Sequence, residues 1–333
     1  MFNSKIVGVG KYIPKRVVTN FDLEKMMDTS DQWIRERTGI IERHFADADH
    51  GETNSYMASQ ASLTALKRAG LNAQDIEFIV YATLSPDYYF PGGGCTIQEH
   101  LGISGIGAMD VRNQCTGFIY ALAAADQFIK TGMYKNALVI GSEIHSNGLN
   151  LSTPGRDVAV LFGDGAGAAV LTATEDKNKG ILTNHLHSDG HFAKELWVKN
   201  PGSAESPYVS HEMIDNGSIY PRMNGRNVFK HAVTRFPEVI HEALDSTGYQ
   251  KDDLDLVIPH QANQRITEAV QIRLELPKEK VFSNIHKYGN TTAASIPIAM
   301  DEAMEQGLIK EDSLVCLASF GSGFTWASSL VRL

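Results

Sequence analysis

The sequence predicts an α/β fold built from two similar halves, because two of its segments recur in the same order. ALKRAGLNAQDIEFIV (65–80) matches ALDSTGYQKDDLDLVI (243–258), with Ala, Leu, Gly and Asp at corresponding places. CTGFIYALAAADQFIKTG (115–132) matches NTTAASIPIAMDEAMEQG (290–307) at nearly the same offset. One such match arises easily by chance, whereas two in the same order indicate a duplication.

Each recurring segment predicts a defined set of elements. The first pair reads as a helix with a Gly stop, an Asp-started turn and a buried strand. The second pair reads as a helix followed by a strand, ALVIGSE (137–143) or SLVCLASF (313–320). These strands are apolar throughout, which is typical of central strands covered by helices on both faces. We therefore expect two halves, 1–172 and 173–333, packed as one body.

Residues 172–222 have no counterpart between the repeated segments and are predicted to carry loops and a hairpin. Within them, HLHSDGH (185–191) spaces its imidazoles as metal sites do, but no Cys or Glu cluster completes a site. GDGAG (163–167) resembles a phosphate loop but lacks its Lys-Ser/Thr end, so it predicts a turn into a strand. No metal and no nucleotide loop are predicted.

Net charge, cysteine number and the length of apolar runs limit the kinds of partner and the compartment that we expect. The 333 residues carry a net charge of −9, which argues against nucleic acids and anionic membranes as partners. Cys95, Cys115 and Cys316 are odd in number and widely spaced, which excludes a fully paired disulfide framework. The N-terminal MFNSKIVGVG reads as a first strand, and no apolar run reaches the roughly 18–20 residues that span a bilayer. We expect a cytoplasmic protein in which Cys95 and Cys316 only pack.

Cys115 is the candidate nucleophile, and two polar side chains are its candidate helpers. It lies between the apolar stretch GIGAMDV (105–111) and a long apolar helix, whose free N–H groups and dipole favour a thiolate. Thiolates attack activated carbonyls such as thioesters. His260 ends a predicted strand, and Asn290 follows Gly289, which permits an unusual backbone angle.

These three residue types together predict enolate chemistry. An Asn and a neutral His can both donate hydrogen bonds to one carbonyl oxygen, which stabilises the enolate formed when a β-carboxylate leaves. The Gly-framed turn FGSGF (320–324) can add backbone donors. We expect the N–H groups of Ser322 and Cys115 to form an oxyanion hole, where each donor is worth roughly 3–4 kcal/mol.

Seven motifs give the chain a resemblance to β-ketoacyl-acyl-carrier-protein synthase III, the initiating condensing enzyme of type II fatty acid synthesis. They are TSDQWIRERTGI (29–40), QCTGF (114–118), FGDGAGAAVL (162–171), NVFKHAV (227–233), HQANQRI (260–266), YGNTTAAS (288–295) and FGSGFTWASSLVRL (320–333). The resemblance implies the thiolase fold, with two α/β halves stacked in five layers (αβαβα), and a homodimer.

The resemblance also implies a reaction. Cys115 takes an acyl primer, acetyl or another short acyl group, from acyl-CoA as a thioester. Malonyl-acyl-carrier-protein then enters, and His260 and Asn290 hold its thioester carbonyl while CO2 leaves. The carbanion attacks the acyl-Cys, which starts fatty acid biosynthesis. CoA is a substrate carrier here, and no cofactor is implied.

The other residues of the family's site carry over by position. Phe320 lies beside the reacting groups, and Phe90 belongs to a loop that reaches the partner's acyl pocket. The CoA-binding residues are Thr29, Trp33, Arg37, Arg156 and Asn263. The residues that bind the acidic carrier protein are Arg226, Lys230 and Arg265. Arg226 and Lys230 are four residues apart and so share one helix face.

The sequence departs from the family's usual pattern near the primer, which keeps alternatives open. Gln114 and Ser322 replace small residues, PGGGC (91–95) is Gly-rich, and the 194–214 segment is long. The main alternative is a related condensing or acyl-transferring enzyme of specialised metabolism with a longer or unusual primer. A degradative thiolase needs a second active-site Cys, which the turn at 320–324 lacks. A non-catalytic binding subunit would have lost the nucleophile.

Overall fold

The computed structural model describes residues 2–333 and contains two main sheets with helices on every face. The strands are β1 (Asn3–Tyr12), β2 (Arg16–Thr19), β3 (Glu42–Phe45), β4 (Phe78–Ala82), β5 (Gly107–Val111), β6 (Asn136–Glu143), β7 (Gly165–Thr174), β8 (Gly180–Ser188), β9 (Leu196–Trp197), β10 (Arg222–Met223), β11 (Leu256–Pro259), β12 (Leu314–Gly321) and β13 (Thr325–Arg332). The helices are α1 (Asn20–Glu24), α2 (Asp31–Thr38), α3 (Asn54–Ala69), α4 (Gly93–Leu101), α5 (Gly117–Lys130), α6 (Arg156–Ala159), α7 (His211–Asp215), α8 (Gly225–Thr247), α9 (Gln264–Leu274), α10 (Ile285–Tyr288) and α11 (Ser295–Glu305).

The two main sheets repeat one topology. The first has the order β1-β7-β6-β4-β5, and the second has the order β8-β13-β12-β11. In both, the first two pairings are antiparallel and the next is parallel. The counterpart of β5 is reduced to one parallel bridge, between Val257 and Val281. The duplication predicted from the sequence is confirmed.

One prediction for residues 172–222 is wrong in part. They include β8, which is the edge strand of the second sheet and the counterpart of β1. The repeat was hidden because β8 is only partly buried and carries polar residues, including His185 and His187. The predicted hairpin is also wrong, because β9 pairs antiparallel with β10 across a long connection that contains α7 rather than across a tight turn.

The helices and sheets stack in five layers. Helices α3 and α4 cover the outer face of the first sheet, and α8 and α9 cover that of the second. Between the sheets lie α5 and α11, the two helices that the sequence matched to each other, and apolar residues from both halves form one core around them. The halves therefore pack as one body. The division at 172/173 stays a prediction; the strands of the two sheets lie within 3–174 and 180–332.

Matching buried carboxylates stabilise the two central helices. Asp126 of α5 accepts a hydrogen bond from Ser4 Oγ at 2.5 Å and pairs with Lys130 at 3.0 Å. Asp301, at the matching position of α11, pairs with Lys11 at 2.7 Å and with Arg68. Both aspartates are fully buried, so their partners are needed to offset the cost of desolvation.

Among residues 2–333, none of the helices combines the length and the apolar character needed to cross a bilayer.

Candidate active site

One cavity brings the three predicted reactive residues together. It has a volume of about 510 Å³. Cys115, His260 and Asn290 line it together with Phe320 and Gly321. These residues come from both halves of the chain, so the cavity lies where the two halves meet.

A strained turn presents Cys115 to the cavity. After β5, Gln114 has φ +48°, and a short 3₁₀ turn over Gln114–Thr116 leads into α5. Asn290 follows the same plan, because Gly289 has φ +64° and a 3₁₀ turn over Thr292–Ala294 leads into α11. In each half, a left-handed residue reverses the chain so that the next side chain meets the cavity.

The surroundings of Cys115 fix its backbone and raise the pKa of its thiol. Ser319 Oγ donates to the Cys115 carbonyl at 2.8 Å. A Cβ on Gly321 would lie 2.6 Å from Cys115 Cβ and 3.0 Å from its sulfur, so no larger residue fits there. The backbone N–H groups of Ser322 and Cys115 hydrogen-bond toward the sulfur and favour a thiolate.

Burial outweighs those donors. It raises the pKa of the Cys115 thiol to about 12, and the charge of Glu143 acts in the same direction. The backbone donors at the helix terminus favour a thiolate, as expected, but desolvation is the larger effect and favours the neutral thiol. The thiol must lose its proton as it reacts.

His260 is held as a neutral hydrogen-bond donor. Its backbone N–H donates to Ala318 O at 2.8 Å, which fixes it beside β12. Its Nδ1 lies 2.6 Å from Ser295 Oγ, which also accepts from the Gln261 N–H at 3.4 Å. Because Ser295 Oγ accepts from Gln261, its own proton can go to Nδ1, which leaves the ring proton on Nε2.

The free nitrogen of His260 has the character of a substrate donor. Nε2 is buried and has no hydrogen-bond partner within residues 2–333. Burial, and secondarily the charge of His145, lowers the pKa of His260 to about 3. The ring is therefore neutral at physiological pH and can donate through Nε2 without adding a charge.

The orientation of the Asn290 amide is also fixed. Its backbone pairs with the strand-like segment beside it: Asn290 N–H donates to Leu161 O at 2.8 Å, and Gly163 N–H donates to Asn290 O at 3.1 Å. Its Oδ1 accepts from the Thr292 N–H at 2.9 Å. With Oδ1 engaged, Nδ2 is the group left to donate to a ligand in the cavity.

The outer end of the cavity combines a flat ring with cations. The guanidinium of Arg37 lies 4.7 Å from the ring centre of Trp33, and that of Arg156 lies 5.4 Å from it. Asn263 Nδ2 donates to Arg37 O at 3.0 Å and ties α9 to α2. Trp33, Arg37 and Asn263 line the cavity, whereas Thr29 and Arg156 lie outside its lining. A planar heterocycle with phosphates matches this rim chemically.

The predicted basic residues form a patch beside this opening. Arg226 and Lys230 are exposed on α8, and Arg265 is exposed at the start of α9, with its guanidinium 5.8 Å from the Phe229 ring. Arg226 and Arg265 line the cavity, and Lys230 lies one turn further along α8. These three residues form a local basic patch on a chain whose net charge is −9.

Other predicted residues lie elsewhere. Phe90 is 80% exposed and does not line the cavity of its own chain. The backbone N–H of Ser322 faces the Cys115 sulfur, while its hydroxyl donates to Leu196 O. The prediction for Cys95 is wrong, because it is exposed on α4 rather than packed; Cys316 is buried in β12 as predicted. Over residues 2–333, no cluster of three or more His, Cys, Asp or Glu side chains is arranged to hold a metal ion.

Sequence reasoning missed two polar residues behind the site, Glu143 and His145. Glu143 is fully buried at the end of β6, accepts from Ser85 Oγ at 2.7 Å, and has its pKa raised to about 7 by burial. His145 Nε2 lies 2.5 Å from Thr292 Oγ1. The available signal was position, because both follow an apolar strand at the edge where α/β proteins gather functional side chains.

Comparisons with known proteins agree closely over the whole chain. Residues 109–190 match the family described as 3-oxoacyl-[acyl-carrier-protein (ACP)] synthase III, and residues 244–333 match its C-terminal region. The chain is 46% identical to the beta-ketoacyl-[acyl-carrier-protein] synthase III of Caldanaerobacter subterraneus subsp. tengcongensis, over 98% of this chain and 97% of that relative.

Solved structures give the same result. The 3-oxoacyl-[acyl-carrier-protein] synthase III from Aquifex aeolicus VF5 has a TM-score of 0.90 and 46% identity, over 99% of this chain and 100% of that one. The priming β-ketosynthase of the R1128 polyketide biosynthetic pathway has a TM-score of 0.90 at 30% identity, over 99% and 96%.

Proposed function

We propose that Cys115, His260 and Asn290 catalyse the reaction of the β-ketoacyl-acyl-carrier-protein synthase III family, to which this chain belongs. The predicted family and thiolase fold are confirmed. The chain is an acyltransferase that condenses an acyl-CoA with malonyl-acyl-carrier-protein and so initiates fatty acid synthesis. The observation that carries the residue roles is the single cavity lined by a thiol, an imidazole and an amide.

In the first half-reaction, the Cys115 sulfur attacks the thioester carbonyl of the acyl-CoA. A C–S bond forms, the bond to the CoA sulfur breaks, and the thiol proton ends on CoA as it leaves. The N–H groups of Cys115 and Ser322 are the donors for the tetrahedral oxyanion, and each such donor is worth roughly 3–4 kcal/mol. Because burial disfavours the free thiolate, we place proton loss together with attack.

In the second half-reaction, the malonyl thioester oxygen accepts hydrogen bonds from His260 Nε2–H and Asn290 Nδ2–H. As CO2 leaves, its bonding electrons move onto that oxygen as an enolate. The enolate carbon then attacks the acyl-Cys carbonyl and forms the new C–C bond. The acyl C–S bond breaks, and the Cys115 sulfur leaves and takes up one proton from solvent, which restores the thiol. A neutral His260 suits this step, because an imidazolium would stabilise the departing carboxylate. Phe320 is buried and lines the cavity, and its apolar ring disfavours the charged malonyl carboxylate, which promotes the loss of CO2.

The outer end of the cavity suits the two carriers. We assign the CoA adenine and phosphates to the rim of Trp33, Arg37 and Arg156, with Thr29 near them and Asn263 along the pantetheine path. The acidic carrier protein docks on Arg226, Lys230 and Arg265, as the exposed cations beside the opening favour. Charge reversal of Lys230, which lies outside the cavity lining, should raise KM for malonyl-acyl-carrier-protein and leave Cys115 acylation by acyl-CoA unchanged.

A homodimer would use an open sheet edge and an aromatic loop. The outermost strand β5 is only half-buried, whereas its neighbour β4 is fully buried. Tyr88, Tyr89 and Phe90 are 62%, 71% and 80% exposed, an unusual density of aromatic surface. We propose that a second copy covers this region and that Phe90 enters its acyl pocket. Light scattering tests the expected doubling of mass.

The proposed primer is a short acyl-CoA, and a longer or unusual acyl group is the alternative. A short acyl-CoA is the primer implied by the resemblance to β-ketoacyl-acyl-carrier-protein synthase III, the name carried by relatives that are 46% identical to this chain. The alternative, a specialised-metabolism enzyme with a longer or unusual primer, is favoured by Gln114, which occupies the strained position next to the nucleophile. A panel of acyl-CoAs of rising length separates them, because preference for acetyl-CoA rules out the alternative.

We place the protein in the cytoplasm and assign it no cofactor. All three cysteines are free, which suits a reducing cytoplasm. The proposed steps use only the protein's own groups and the two thioesters, with acyl-CoA as a substrate and no cofactor. The deciding experiment is mass spectrometry of Cys115 after incubation with mixed acyl-CoAs. One added acyl mass on the intact protein, absent from Cys115→Ser, supports the roles; a label that persists in the variant refutes them.

A further inference from the structure

His145 is a half-buried polar side chain that none of the steps above uses. It lies two residues after β6, behind the cavity. Its Nε2 is 2.5 Å from Thr292 Oγ1, and its ring centre is 4.6 Å from that of Phe162. Phe162 lines the cavity, and His145 does not. His145 therefore acts on the site through its neighbours.

The partner of His145 has a costly backbone conformation. Thr292 has φ +50°, a region that β-branched residues almost never occupy. Such strain persists only where the surroundings enforce it. In this conformation, the Thr292 N–H points back and donates to Asn290 Oδ1 at 2.9 Å. The strain thus coincides with the bond that orients the Asn290 amide.

The side chain of Thr292 has one anchor. Within residues 2–333, the His145 ring is the group that hydrogen-bonds to Thr292 Oγ1. Burial lowers the pKa of His145 to about 4, so the ring holds this bond as a neutral group. A relay of two bonds therefore runs from His145 through Thr292 to Asn290.

We propose that His145 is a positioning residue for Asn290, acting through Thr292 to keep Asn290 Nδ2 aimed at the malonyl thioester oxygen. The inference rests on the proposed role of Asn290 in decarboxylation. It separates the two half-reactions, because Asn290 takes no part in the acylation of Cys115. A residue that only supported the fold would affect both.

The variants can be chosen to keep the fold. The His145 backbone N–H donates to Asp164 Oδ1 at 2.7 Å, and substitution of the side chain leaves that bond intact. His145→Leu removes the bond to Thr292 and keeps an apolar contact with Phe162. His145→Gln places an amide where the ring nitrogen was. Thr292→Val removes the hydroxyl and keeps the branched shape, and Thr292→Ser restores the hydroxyl.

The experiment measures both half-reactions on each full-length variant. Mass spectrometry gives the rate of Cys115 acylation by acetyl-CoA, and release of CO2 from malonyl-acyl-carrier-protein gives the second rate. For His145→Leu we expect CO2 release to fall roughly tenfold, the worth of one lost hydrogen bond, with acylation within about twofold of the parent. Thr292→Val should match it, while His145→Gln and Thr292→Ser should recover part of the loss.

Non-additivity completes the test. If both residues belong to one relay, His145→Leu combined with Thr292→Val should be no slower than either alone. Equal loss of acylation and CO2 release, unchanged CO2 release, or additive losses would overturn the proposal. Asn290→Ala is measured alongside. If that variant keeps full CO2 release, the role of Asn290 fails and the inference fails with it, whereas a slow Asn290→Ala with a normal His145→Leu refutes the relay alone.

Discussion

The Cys115 turn and the Asn290 turn occupy equivalent positions in the two halves, and we assign different chemistry to them. Each follows a left-handed residue and precedes a central helix. In the first half the left-handed residue is Gln114, whereas in the second it is Gly289, where a Cβ would lie 2.9 Å from Leu161 O. Both turns keep a positive φ before the proposed reactive residue, but they differ further along, where Thr292 has φ +50° and its counterpart Gly117 has φ −53°. The residue after the positive φ carries a thiol in one half and an amide in the other.

The halves also differ at their outer edges. The first sheet keeps β5 as a full strand with an open edge, while the second reduces the same position to one bridge between Val257 and Val281. The interior repeat therefore survives where both halves contribute to the cavity. It has diverged at the rim, where we propose that only the first half meets a partner.

The largest difference in activity between substitutions in the two halves is expected at Cys115, the proposed nucleophile. Cys115→Ala should abolish acyl labelling and reduce condensation by at least about 10³-fold, because Cys115 is the thiol that lines the cavity. Intact-protein mass spectrometry and a condensation assay measure both. The matched control is Cys95→Ser, an exposed thiol whose loss should change neither. A Cys115→Ala protein that still becomes acylated would contradict the assignment.

The second half should show the opposite profile. Asn290→Ala should slow CO2 release about 10²–10³-fold by removing one enolate donor, while acylation of Cys115 stays near the parent rate. The half-reactions are measured separately, with acetyl-CoA alone and with malonyl-acyl-carrier-protein alone. Comparable losses in both would mean that the halves do not divide the chemistry as proposed.

The buried thiol predicts a pH dependence that sharpens the contrast. Because the pKa of Cys115 is raised to about 12, its thiolate fraction rises with pH across the whole working range. The rate of alkylation by iodoacetamide should therefore increase roughly tenfold per pH unit between about pH 7 and 9. Peptide mapping isolates Cys115 from exposed Cys95. A rate that levels off below neutral pH would indicate a preformed thiolate.

The smallest effects are expected from exchanging the left-handed residues. Gly289→Ala should lower the free energy of unfolding by about 1–3 kcal/mol, since both φ and the contact with Leu161 O oppose a Cβ. Gln114→Gly relieves a similar strain at φ +48° and should change stability by less than about 1 kcal/mol. Denaturant unfolding measures both. Equal destabilisation by the two changes would show that the turns are not equivalent.

Sequence reasoning succeeded where the pattern was repeated and apolar. It predicted the central strands, the correspondence of α5 with α11, and the equivalent positions of Cys115 and Asn290. These patterns are visible in both halves because buried segments cannot vary their periodicity freely. It failed for β8, whose partly exposed edge position admits polar residues. It also failed for the Cys95 environment, since one Cys reveals nothing about what packs beside it.

The pKa values of the site residues could not be predicted from the sequence, for a physical reason. The pKa of Cys115 depends on burial by segments more than 200 residues away, including Ser319 and Gly321. Likewise, the contact between His145 and Thr292 joins residues from the two halves. Local rules described the helix terminus correctly, but they could not weigh its effect against desolvation created by the tertiary fold.

The placement of α5 and α11 between the sheets has a consequence for how this enzyme fails. Each helix follows shortly after one of the proposed reactive residues, and its buried face packs in the core shared by both halves. The site is therefore held in place by the same packing that holds the whole molecule together. Heating should not abolish activity at a temperature below that at which the protein unfolds. Loss of turnover and loss of global order are expected to coincide, as a single cooperative event.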